Sequence, residues 1–155
     1  MIQLRITAKN LAEASQRLSL VADRMADATP VLQQFGVQML RSIEQTFQAG
    51  GRPRGWAPWA TSTRRALERK RKGGNRILID SGRLKNSIAA RVEGTPPILR
   101  VGSNVIYSRI HQLGGAAGRG HKSLIPARPF LVVQDEDMEI LKRMLVDSLT
   151  GGGNA

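Results

Sequence analysis

The chain has no cysteine in its 155 residues. Disulfides, thiolate metal sites and cysteine nucleophiles are therefore excluded at once. Aromatic residues are scarce as well, at 4%. A core must then be built from Leu, Ile, Val and Met, with each aromatic ring a conspicuous exception. Only two histidines are present, His111 and His121, ten positions apart, and they form none of the short metal-binding spacings. No run approaches the ~20 apolar residues of a membrane span. The first residues lack the apolar stretch of a signal peptide. Acids are few, 12 against 24 Lys and Arg, and they show no paired-carboxylate arrangement for acid–base work. The residues Asp135, Glu136, Asp137 and Glu139 cluster where a helix starts, and capping and dipole complementarity account for them. The Gly-rich stretch 114–120 fails as a phosphate loop, because His121 stands where the lysine must be. These absences argue against an enzyme, and no cofactor is expected.

What the chain has is positive charge, a net +12. Its placement is uneven. Residues 50–91 hold twelve basic side chains against Glu68 and Asp80, a net +10. The flanking segments are near balance. Charge runs are usually solvated faces. Here arginine outnumbers lysine nine to three, which favours forked contacts to phosphate or carboxylate over simple solubility. Arg52, Arg54, Arg64, Arg65, Arg69, Lys70, Arg71 and Lys72 are the candidate contacts to DNA or to an acidic partner. Both tryptophans, Trp56 and Trp59, lie in a Pro/Gly loop outside any apolar stripe, so they read as interface anchors.

Periodicity predicts a short strand over 2–6 and a helix over 11–26. A second helix runs over about 30–48, capped by Thr29, with Leu32, Phe35, Met39, Ile43 and Phe47 inward. Residues 49–60 are a loop. Residues 61–72 form a helix with almost no apolar face. A turn at 80–82 leads to a hairpin of 87–93 and 98–101. A short helix follows, capped by Asn104, with Ile106, Ile110 and Leu113 on one face and His111 packed beside Tyr107. The segment 114–120 reads as a flexible loop and 125–131 as extended chain. A last helix starts near Asp135 with Met138, Leu141, Leu145 and Leu149 as its stripe. The fold class is α+β: long N-terminal helices and a C-terminal helix packed on a small antiparallel sheet. The expected organisation is one domain over 1–149, a basic loop–helix insert at about 49–76, and a disordered tail at 150–155. Residues 50–75 are expected to be mobile in a free subunit and ordered in an assembly.

Several segments together resemble one family. They are Phe47 with the loop to Gly55-Trp56-Ala57-Pro58, then Thr63, then Ile77-Leu78-Ile79-Asp80-Ser81-Gly82-Arg83-Leu84-Lys85-Asn86-Ser87-Ile88. Val101-Gly102-Ser103-Asn104, Tyr107, Ile110-His111-Gln112-Leu113-Gly114-Gly115 and Ile125-Pro126-Ala127-Arg128-Pro129-Phe130-Leu131 complete the set. Their order and spacing are similar to the virion morphogenesis (tail completion) family of Mu-like phages, over about residues 30–148. Trp59 departs from an expected Leu, and Ser108 from an Ala. The resemblance implies a non-enzymatic neck or tail-completion protein in the virion, assembled in the host cytoplasm. Its partners would be its own copies in a ring, with six preferred and twelve open, and the adjoining head connector or stopper and tail terminator or tube. Contact with channel DNA is a further expectation, and no membrane is involved. Tyr107, His111, Arg128 and Phe130 join Trp56 and Trp59 as candidate subunit contacts. The competing reading is a non-specific DNA-binding protein that uses residues 50–91. A nuclease is a distant third.

Overall fold

The computed structural model describes residues 28–60 and 76–150, with Gln16, Ser19, Arg64 and Arg65. The expected strand at 2–6 lies outside the described residues. So does the helix at 11–26 except for Gln16 and Ser19, and the helix at 61–72 except for Arg64 and Arg65; these four residues are helical. The fold is α+β.

Its spine is α1, Thr29–Ala49. Phe35, Met39, Ile43 and Phe47 recur every four residues, so they share one face, and all four are buried. Two corrections apply. Ala28, not Thr29, occupies the cap position, without a side-chain hydrogen bond. Val31 is buried in place of Leu32. Pro30 sits in the first turn, where its missing N–H costs nothing.

A four-residue helix, α2 (Arg83–Asn86), leads into a hairpin of β1 (Ile88–Glu93) and β2 (Ile98–Ser103). The strands are antiparallel, with Ile88 opposite Ser103 and Glu93 opposite Ile98. Burial alternates along β1, so Ile88, Ala90 and Val92 face inward while Ala89, Arg91 and Glu93 face out. Arg100 and Glu93 form an ion pair on the outer face. The hairpin lies against α1. Gly36 is the reason it can lie so close: a Cβ there would stand 3.2 Å from both Ala90 Cβ and Leu99 Cδ1.

The next helix, α3, covers Ser108–Leu113 and buries none of its residues. It starts after Tyr107, not at Asn104, and its supposed apolar face is absent: Ile106 is 96% exposed and Leu113 is exposed. The Gly-rich segment is a second small hairpin, not a flexible loop. It consists of β3 (Gly115–Ala117), one 3-10 turn, and β4 (Ser123–Ile125), paired antiparallel.

The chain closes with α4, Asp135–Thr150. Its inward side chains are Leu141 and Met144, whereas Met138 and Leu145 of the expected stripe are exposed. Asp137 sets this rotation. It is fully buried, and its Oδ2 accepts from Ser42 Oγ of α1 at 2.7 Å and from the Gln134 N–H at 3.0 Å. The second bond is half of a capping box, reaching back to the residue before the helix. So this acid is more than a dipole complement: it bolts α4 to α1.

Candidate functional site

The site grows from the aromatic cluster at the end of α1. Phe47 meets Trp56 edge-on at 5.4 Å between ring centroids, and Phe130 at 5.5 Å. Phe47 and Phe130 have no exposed surface, and Trp56 is buried with them. This corrects the reading of Trp56 as an interface anchor outside the core. With so few rings available, the chain gathers three of them into one knot, because a large flat side chain is the economical way to fill a wide gap. Phe130, also expected at a subunit contact, supports the site from behind.

Backbone groups of two distant loops are tied across this knot. Trp56 Nε1 donates to Pro129 O at 2.7 Å. Arg128 Nε donates to Ala57 O and its Nη2 to Pro58 O, each at 3.0 Å. From the other side, Gln112 Oε1 accepts from the N–H groups of Phe130 (2.9 Å) and Leu131 (3.0 Å). Its Nε2 donates to Leu131 O at 3.1 Å. The Arg128 N–H donates to His111 O at 2.7 Å. The extended 128–131 segment thus has its polar groups satisfied by side chains and a helix end rather than by a sheet. Gly114 permits the join: its φ is +72°, and a Cβ there would stand 2.7 Å from the Ala127 nitrogen.

A cleft of about 740 Å³ opens beside this knot. Trp59, Tyr107, His111 and Arg128 all line it, so four of the six candidate contact residues converge. Tyr107 and His111 stack edge-to-face at 5.8 Å, as their helical spacing predicts. His111 is held below its ordinary value of 6.5, first by burial and then by the charge of Arg128. Arg128 itself is pulled down by burial. Arg76, Arg83 and Leu124 also line the cleft. Sequence reasoning missed these three, and Gln112. Leu124 gave no signal, since a three-residue strand has too few positions to show alternation. A smaller cleft of about 430 Å³ shares Trp59 and Arg76 and adds Arg64.

The basic candidates are dispersed. Arg52 is used internally: Nη1 donates to Gln45 Oε1 (2.9 Å), and Nη2 donates to Ser42 Oγ (3.0 Å) and pairs with Glu136 (2.9 Å). It is a strut between the loop, α1 and α4, not a free contact. These contacts tie the loop to α1 and α4 at Arg52. Arg54, Arg64 and Arg65 are exposed. Arg69, Lys70, Arg71 and Lys72 lie outside the described residues. Among the described residues no group of three or more His, Asp or Glu could hold a metal ion, and no helix is long and apolar enough to cross a membrane.

The model of the phage virion morphogenesis family matches residues 9–150, which include the whole knot and cleft. The chain belongs to that family. It is similar to Mu-like prophage FluMu G protein 2 of Haemophilus influenzae, 33% identical over 137 residues and covering 88% of each chain. No solved structure matches. Family membership implies a structural role in phage virion assembly.

Proposed function

We propose that the protein is a subunit of the neck ring that joins a DNA-filled phage head to its tail. The observation that carries this reading is the convergence of Trp59, Tyr107, His111 and Arg128 on one open cleft, in a chain of the virion morphogenesis family. Aromatic and arginine side chains in a partly enclosed cleft are the composition of a protein–protein contact. Exposed apolar side chains nearby in sequence, Ile106, Leu113 and Leu124, are better suited to an assembled particle than to a free monomer. The test is deletion of the gene from an inducible prophage. Filled heads and complete tails that fail to join are expected; normal joined virions would refute the reading.

The second reading, non-specific binding of duplex DNA, keeps the exposed Arg54, Arg64 and Arg65 in its favour. It loses Arg52 to the strut. Under the neck reading, DNA binding is weak and falls steeply with salt. An affinity that survives roughly 200 mM salt would favour the DNA-binding reading.

A further inference from the structure

Among the described residues, no carboxylate pairs with the charge of Arg128. The residue is only 7% exposed. Its partners are two backbone carbonyls, of Ala57 and Pro58, and no carboxylate. Buried charges in proteins are paired, because an uncompensated ion in a dry site is costly. Beside it, His111 Nδ1 is buried and has no hydrogen-bond partner. Arg76 and Arg83 line the same cleft. The carboxylate on its wall, Asp80, already has a partner. The cleft is therefore a cationic hole with unfilled donors.

The same chain carries a matching acid. Among the described residues, most carboxylates are used: Glu44 by Lys85, Glu93 by Arg100, Glu136 by Arg52, Glu139 by Lys142, and Asp137 by α1. Asp135 and Asp147 are exposed, and neither carboxylate forms an ion pair among the described residues. Asp135 lies between the exposed apolar residues Val133 and Met138. The cleft wall carries Leu124, 83% exposed, and Tyr107. Both surfaces thus combine a charge that has no ion-pair partner among the described residues with apolar neighbours, and the charges are opposite.

We propose that the Arg128 cleft is the receiving half of a subunit contact and that it receives Asp135 of a second copy of this chain. The Asp135 carboxylate accepts from the free edge of the Arg128 guanidinium, the forked geometry for which arginine is suited. Val133 and Met138 of that copy cover Leu124 and Tyr107. Two different surfaces meet, so the contact is head-to-tail and repeats around a ring. This inference rests on the ring reading above.

The absence of native cysteine makes the contact directly testable. In the full chain, the double variant Leu124→Cys/Val133→Cys should give a ladder of cross-linked oligomers under mild oxidation. The two single variants mixed together should give dimers only, and neither should cross-link alone. Asp135→Lys should weaken self-association by about 30-fold or more, the scale of losing one partner of a buried charge pair. Asp135→Glu should retain it. Asp135 is exposed, so these variants should fold. If the native chain forms rings but the double variant gives no ladder and Asp135→Lys associates normally, the contact is wrong and the ring stands. A chain that stays monomeric at all concentrations overturns both. Cross-linking of Leu124→Cys to a different virion protein in particles overturns the choice of a second copy.

Discussion

Gln112 shows how much rests on single side chains. One amide satisfies two N–H groups and one carbonyl of the 130–131 segment. Gln112→Leu leaves the buried Phe130 N–H without an acceptor, so stability should fall by about 1–3 kcal/mol in urea unfolding. His111 supplies a second prediction. Its proton affinity is lower in the folded chain than in the unfolded one. The unfolded chain therefore binds the proton first. The stability is intact above the ordinary value of 6.5 and falls as pH drops below it. The melting temperature should decline between pH 7 and pH 5.5, and less so in His111→Asn. Glu44 and Glu139 are held low by hydrogen bonds from Lys85 and Lys142 and then by the charge of those lysines, so they act only below about 4.5. The pairing of Tyr107 with His111 was legible because helical spacing dictates it. The burial of Trp56 was not, because the carbonyl that takes its indole N–H, Pro129 O, is more than seventy residues away and no local pattern joins them.

Among the elements, α1 was the most legible. A stripe at four-residue spacing, Phe35, Met39, Ile43 and Phe47, leaves little choice of inward face. The α4 stripe was misread because a periodic pattern gives several adjacent apolar faces, and the buried Asp137 chooses among them through Ser42. Asp137→Ala should remove at least ~2 kcal/mol, since it deletes hydrogen bonds from Ser42 and Gln134 within the core. It should also speed amide exchange in α4 more than in the β1–β2 hairpin. The hairpin of β3 and β4 left no trace in the sequence, because Gly115-Ala116-Ala117 has neither alternation nor branched side chains. Phe130→Ala tests the knot that joins the two long-range loops. It should cost about 3–5 kcal/mol, as expected for a fully buried ring.

For the whole molecule, composition exposed the basic segment but not its division of labour. Arg52 braces the fold, Arg128 lies buried in the cleft though it comes from the near-neutral part, and Arg54, Arg64 and Arg65 remain at the surface. The family was legible in the sequence, and the segments that carried the resemblance include residues that build the knot and cleft: Trp56, Gln112, Gly114, Arg128 and Phe130. The proposed role in the neck rests on joining that family to an open cleft whose arginine has no carboxylate partner among the described residues. The most direct test is electron microscopy of purified particles labelled at this subunit. The account predicts label in a single ring at the head–tail junction. Label spread along the tail or over the capsid, or none on the particle, would contradict it.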